Sequence, residues 1–564
     1  MAMKSYRIFL LLLLFWGEMS CYDDLGNYTY HDINELTIDS VASFYTVDQF
    51  DTLEIHPVFT GTQYADTDRF SYIWEIDGDT VSSQAYLRYK VLDSPGEKYC
   101  RFIVIDKETG VKEYNYFYTT VVNAVAVDGI VLLGDYQGHA ELSFKRLDRP
   151  DENFQVNIFN EMNKGYLGTV PQSMTQVYSF ELTEETDLYG LHILADNEMK
   201  RVSYRSLLQD NSYPVYNATY FKSLIPPNPN APDFGSFSQI SATRSDMLNY
   251  SGDFMGLFSK KVNHYFINDG KYFMTMQSAI NGGVYVCSYL RGSESGGRLS
   301  PVFFTVSKTK IGNFSSFFYD IGYATSDYMI LFDETNHKFV YGSYSGLSNF
   351  KEITEFRDKD FSGWWPIFGS PTRNINNPFV ILTDGSGYRC LMLRAPQNSN
   401  EYKEGQAEGI KFAILGDFEI PAGQMDAFSD FYCYITDENF YFTKDNVLYA
   451  ANLQSMLNGS WSIKPVCKLS DFGYNEKARI NCFDFTRSGK YVALGISRDG
   501  KRKGETSADL NGDVLLLQID KTSNAVAFYK KFEQAGGTPT DIIFKYLTYY
   551  CEGYDYNQEF RDDL

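Results

Sequence analysis

Short runs in which apolar and polar residues alternate with period two recur along most of this chain, separated by clusters of Gly, Pro, Asp, Asn and Ser. That period is the signature of half-buried strands. Between about residues 36 and 124 the runs are Leu53 to Phe59, Phe70 to Ile76, Tyr99 to Ile105 and Tyr114 to Val122. Turns fall between them at Asp77-Gly78-Asp79, Ser94-Pro95-Gly96 and Glu108-Thr109-Gly110. The alternation of the third run puts Cys100, Phe102 and Val104 on one face, and Trp74 is the expected core anchor of a β-sandwich.

From Asp128 onward the pattern becomes a loose repeat of an aromatic-rich strand, a polar turn and a second strand. The units include Ile130 to Phe144, Gly190 to Tyr204, Tyr265 to Tyr285, Tyr323 to Tyr341, Phe379 to Gly385, Phe440 to Tyr449 and Tyr491 to Asp520. A spacing of about 60 residues suits four-stranded blades with long loops, which predicts an all-β chain with a propeller-like domain of about seven blades over 125–564. The alternative is a non-repeating array of sandwiches. The stretch Leu224 to Pro232 holds four prolines and predicts a loop between blades. A domain break is expected between Asn123 and Asp128.

Composition narrows the function. Aromatic residues make up 17% of 564, with 45 Tyr and 44 Phe, which favours strands. A formal charge of −22 excludes a nucleic-acid partner that needs a basic footprint. Of the eight cysteines, Cys100, Cys287, Cys390, Cys433, Cys467, Cys482 and Cys551 are dispersed, without C-x-x-C pairs. They predict buried thiols rather than a metal site.

The N-terminus predicts export. Lys4 and Arg7 precede the apolar run Ile8 to Trp16, which is far shorter than the roughly 20 residues of a spanning helix. Ser20-Cys21 resembles the junction of bacterial lipoproteins, so residues 1–20 are expected to be removed and Cys21 to carry lipid in the outer membrane. Residues 21–35 then form a tether, in which Asp23 and Asp24 resemble the surface-export signal of Bacteroidota-type lipoproteins. A multiply acylated cysteine is a stable anchor.

The string from Trp74 through Asp77-Gly78 and Pro95-Gly96-Glu97-Lys98-Tyr99 to Val104-Ile105-Asp106-Lys107-Glu108-Thr109-Gly110 resembles a PKD domain, an immunoglobulin-like module. The opening from Cys21 to Tyr28, His31 to Glu35, Val127 to Gly134 and Glu141 to Phe144 are similar to the PKD-like lipoprotein family of the same bacteria. That resemblance implies company with TonB-dependent transporters and their partner lipoproteins. It implies no chemistry.

No H-E-x-x-H, G-x-S-x-G, Walker A or dinucleotide glycine motif is present. Gly342-Ser343-Tyr344-Ser345-Gly346 carries Tyr where a nucleophile elbow needs Ser. The histidines His31, His56, His139, His192, His264 and His337 are scattered, the last four over separate repeat units. Asp66-Thr67-Asp68 and Asp77-Gly78-Asp79 lack the spacing of a calcium loop and predict solvated turns. Neither a metal nor a cofactor is implied. Phe361-Ser362-Gly363-Trp364-Trp365-Pro366 is the candidate ligand-binding motif, because exposed aromatic rings suit capture of sugars or peptides. Adjacent strand residues point to opposite faces, so one of Trp364 and Trp365 is expected in the core. The expected function is a non-enzymatic binding or accessory lipoprotein of nutrient uptake, taking a glycan or peptide. A propeller-based hydrolase or lyase and a structural interaction module are the alternatives.

Overall fold

The computed structural model describes residues 34–546 except 64–66, 178–189, 197, 204, 210–260, 269, 279–283, 287–290, 301, 303, 306–327, 344–347, 371–377, 395–410, 434–437 and 487. Cys21, Asp23, Asp24, His31 and the proline stretch 224–232 lie outside them. Two compact units result: residues 1–91 with 95–122, and residues 92–94 with 123–564.

The first unit is a β-sandwich of nine strands: β1 (Leu36–Asp39), β2 (Phe44–Asp48), β3 (Thr52–Ile55), β4 (Val58–Gly61), β5 (Phe70–Ile76), β6 (Asp79–Ser82), β7 (Leu87–Lys90), β8 (Gly96–Asp106) and β9 (Lys112–Val122). Its main sheet has the order β2-β9-β8-β5-β6, and β1-β4 and β3-β7 form two further pairs. Phe70, Tyr72, Trp74 and Ile76 of β5 and Cys100, Phe102 and Val104 of β8 are buried, as their period-two spacing demands. Trp74 stacks on Phe102 at 3.9 Å and its indole N–H donates to the Gln84 carbonyl at 2.9 Å, so the largest core side chain leaves no orphan donor. The run from Leu53 to Phe59, read as one strand from sequence, is two. Pro57 has no N–H to extend a ladder, and on either side of it the chain pairs with different partners: β3 with β7, then β4 with β1.

The second unit is propeller-like, and its described residues form seven antiparallel sheets. The first holds β10 (Gly129–Tyr136) and β11 (His139–Arg146). The second holds β12 (Pro171–Val177), β13 (Gly190–Ala195) and β14 (Glu198–Ser203). The third holds β15 (Lys261–Asn268), β16 (Lys271–Ser278) and β17 (Val284–Val286). Next come β18 (Phe304–Thr305), β19 (Tyr328–Asp333), β20 (Lys338–Ser343) and β21 (Lys351–Glu352), and then β22 (Trp365–Ser370), β23 (Phe379–Thr383), β24 (Tyr388–Arg394) and β25 (Ala413–Ile420). The sixth sheet is β26 (Phe431–Tyr432), β27 (Asn439–Lys444), β28 (Val447–Asn452) and β29 (Ile463–Lys468). The seventh is β30 (Arg479–Phe485), β31 (Tyr491–Ser497), β32 (Gly512–Asp520) and β33 (Ala525–Gly536). Each sheet is a meander of chain neighbours, with one exception. The last strand, β34 (Thr538–Lys545), returns to pair with β10, giving the order β11-β10-β34.

Apolar layers join neighbouring sheets face to face. One runs from Ile330 and Phe332 of β19 to Val380 and Leu382 of β23. Another joins Phe379 and Ile381 of β23 to Phe440 and Phe442 of β27, and a third joins Tyr441 and Leu448 to Leu494 and Leu515. A fourth joins Ala493, Val514 and Leu516 to Ile130, Ile542 and Phe544, which seats the closing strand against the seventh sheet. Burial of these faces supplies most of the stabilisation, at roughly 25 cal/mol per Å² of apolar area. Cys390, Cys467 and Cys482 are buried thiols in these layers, as is Cys100 in the sandwich. No helix among the described residues is long and apolar enough to cross a membrane.

Candidate functional site

Strand register brings one set of turns to one end of the sheets. Trp365 at the start of β22 pairs with Thr383 at the end of β23, Arg479 with Ser497, and Thr538 with Asp135. In these three sheets one edge strand therefore begins beside the turn that follows its neighbour. That turn carries an aspartate again and again: Asp135, Asp196, Asp333, Asp384, Asp445 and Asp499. Asp196 accepts from the Thr169 and Val170 amides at 2.7 and 2.8 Å, Asp333 from Thr335 and Asn336 at 3.1 and 2.9 Å, and Asp384 from Ser386 and Gly387 at 2.8 and 2.7 Å. Asp499 accepts from the Ser497 hydroxyl at 2.8 Å and the Lys501 amide at 3.2 Å. The Gly387 and Ser386 amides hold the Asp384 carboxyl below its ordinary range. A carboxylate committed to turn amides stays ionised and makes a poor proton donor.

On this end the two tryptophans diverge. Trp364 is half-buried against the layer that contains Phe356, Phe361 and Leu382. Its carbonyl lies 3.4 Å from Nδ1 of His337, which belongs to the turn of the preceding sheet. The Arg389 guanidinium sits 5.5 Å from the Phe361 ring and 5.8 Å from the Trp364 ring, locked by Asp417 through contacts of 2.6 and 2.7 Å. Trp365 points the other way and is 42% exposed. Its indole lies over Gly385, where a Cβ would meet the ring at 3.5 Å. The exposed edge of Trp365 can pack on an apolar ligand face.

A second feature escaped the sequence reading. The loop 498–511 spans three sheets at this same end: Arg502 pairs with Asp445 at 2.5 Å, Lys503 with Asp430 at 3.2 Å, and Thr506 donates to Asp135 at 3.2 Å. Burial opposes the charge of Lys503, but Asp430 and Asp541 outweigh it and hold the ammonium above its ordinary value. Arg502 also lies 5.0 Å from the exposed Phe428 ring. The available signal was the basic run Lys501-Arg502-Lys503 in an acidic chain.

By strand position the histidines lie on separate elements: His139 is in β11, His192 in β13, His264 in β15, and His337 in the turn after β19. His139 stacks on Tyr166 at 3.7 Å, and His56 of the sandwich stacks on Tyr86 at 5.4 Å. Among the described residues no group of three or more His, Cys, Asp or Glu side chains is arranged to hold a metal. Asp77 and Gly78 form the β5–β6 turn at φ 48° and 93°, and Asp77 accepts from the Tyr99 amide at 3.0 Å. Asp66 and Tyr344 lie outside the described residues.

Residues 21–171, which span the sandwich and the first strands that follow it, match the model of the PKD-like family. No curated protein matches the chain. Among solved structures, a quinonprotein alcohol dehydrogenase-like protein from Bacteroides thetaiotaomicron is similar at 10% identity, over 91% of this chain and 99% of that one, with a TM-score of 0.42. The periplasmic gluconolactonase of Pseudomonas aeruginosa is similar at 12% identity, over 75% and 99%, with a TM-score of 0.38.

Proposed function

We propose that this protein is a surface-tethered lipoprotein that captures a glycan or peptide without turning it over, as an accessory of a TonB-dependent uptake system. The observation that carries the binding part is the hairpin end of the second unit. Asp196, Asp333, Asp384, Asp445 and Asp499 are held below the ordinary carboxylate range by hydrogen bonds and neighbouring cations, while burial raises Asp135, and Trp365 stands exposed at the start of its strand. Capture asks for an aromatic surface with fixed polar neighbours; general acid–base turnover asks for carboxylates with tunable protons. The tether rests on Ser20-Cys21 and on Asp23 and Asp24, and the uptake role rests on the PKD-like segment.

The test is a parallel screen of the mature chain for binding and for cleavage on glycans and peptides. Trp365→Ala should weaken binding by more than about 1 kcal/mol with folding intact. Sustained cleavage of any substrate would sink the non-enzymatic reading. For the tether, Cys21→Ala should release the protein from membranes, and the double change Asp23→Ala and Asp24→Ala should lower its protease accessibility on intact cells.

A further inference from the structure

The outer face of the main sandwich sheet carries a continuous aromatic surface that neither the core nor the hairpin end uses. Tyr114, Tyr116 and Tyr118 alternate along β9 and are 38%, 52% and 44% exposed, while the residues between them face inward or sit half-buried. Register places Tyr118 between Phe44 of β2 and Tyr99 of β8, both similarly exposed. Tyr116 lies opposite Arg101, which in turn lies opposite Glu75 of β5. The rings form one array: Tyr114 and Tyr116 are 6.1 Å apart at 6°, Tyr116 and Tyr99 are 6.0 Å apart at 24°, and Tyr99 and Tyr118 are 5.7 Å apart. Arg101 is bonded to Glu75 through Nε at 2.7 Å and lies 5.9 Å from the Tyr114 ring.

Single exposed tyrosines in strands follow from β propensity and need no further cause. A contiguous group of four with Phe44, built around a fixed Arg–Glu pair, is an interaction surface. Tyrosine offers large, rigid, amphipathic contact area at low entropic cost. Charge selects the occupant. The chain carries −22 overall, which repels polyanions and a second copy of itself, and on the face Arg101 and Lys112 are balanced by Glu75 and Glu97, which leaves no net charge to draw a cationic polymer. An uncharged partner with alternating apolar faces and hydroxyls fits. We propose that this face binds a neutral polysaccharide, whose C–H faces pack on the rings while its hydroxyls meet the phenol groups and the Arg101–Glu75 pair.

Affinity electrophoresis of the full mature chain in gels containing hydroxyethyl cellulose, galactomannan, dextran or polygalacturonate tests this. At least one of the three neutral polymers should retard the protein. Tyr99→Ala and Tyr116→Ala should each weaken that retardation by about fivefold or more, Tyr116→Phe should keep most of it, and Phe528→Ala, at an exposed aromatic of the second unit, should leave it unchanged, which separates this surface from exposed rings in general. Unaltered thermal unfolding of the variants confirms that they fold; if an alanine variant does not, Tyr99→Gln and Tyr118→Gln give the same reading. The proposal is overturned if no neutral polymer retards the wild type, if the tyrosine variants behave as wild type, if only polygalacturonate retards it, or if the wild type sediments as a dimer that Tyr116→Ala dissociates.

Discussion

Lys503, half-buried, and Lys545, fully buried, are cations at opposite ends of the sheets in the second unit, and the protein treats them differently. At the hairpin end Lys503 faces Asp430 and is held charged. At the other end Lys545, the last residue of β34, is fully buried and donates to the carbonyls of Val125 and Val127 at 2.8 and 2.7 Å. Burial pushes its pKa down to about 7. A carboxylate partner preserves a charge; carbonyl partners mainly satisfy donors, and the ammonium there remains costly. The comparison separates an end built around charges from an end built around a clasp on the segment that leads into β10.

The largest expected effect is at the clasp. Lys545→Met leaves two carbonyls without their donor and should destabilise the second unit by about 2 to 4 kcal/mol, read from urea unfolding of the full chain. The pH dependence has a definite sign. Because the folded-state pKa of about 7 lies below the ordinary lysine value of 10.5, the unfolded chain binds the extra proton between them, so the lysine's penalty is complete below about pH 7 and disappears as pH rises toward 10.5. Wild-type stability should carry this rising component, and Lys545→Met should lack it; identical pH slopes would refute the assignment. At the other end, Lys503→Met should cost less, about 1 to 2 kcal/mol, since Asp430 keeps the Phe483 amide as a donor at 3.1 Å. A larger loss than that of Lys545→Met would invert the comparison. Asp384→Ala removes one turn staple at an exposed site and should lower the urea midpoint by less than Lys503→Met does. Trp365→Ala is expected to change stability by less than about 0.5 kcal/mol, which calorimetry on the same samples would check.

Much of this fold was legible because the central strands carry the strongest patterns. Phe70 to Ile76 and Tyr99 to Ile105 alternate cleanly, and six of the seven repeat units span a hairpin of one sheet, as with Phe440 to Tyr449 across β27 and β28, while Phe379 to Gly385 covers β23 alone. The short strands were not legible: Phe431–Tyr432 and Lys351–Glu352 are two residues long and have no period to read. For the candidate site, the sequence singled out Trp364 and Trp365 with one expected in the core; Trp364 is half-buried, and which of the two faces solvent depends on the Phe361 layer and on Gly385. The Lys503–Asp430 pair joins residues 73 apart through a loop, and no local pattern announces it. The tyrosine face was visible only as composition, because its meaning lies in the cross-strand register of β2, β9 and β8.

The pairing of β34 with β10 has a consequence for how the chain is made. Lys545 and the Val125 carbonyl it holds are separated by 420 residues, so the contacts that complete this unit are among the most non-local a single chain can form. Loop closure over that span must precede any reward from the pairing, which slows the final step and leaves the edge of β10 without its partner while the intervening sheets assemble. Until the C-terminal strand emerges, that edge is an open template for any other strand, and a chain halted short of residue 538 would be prone to aggregate rather than merely incomplete.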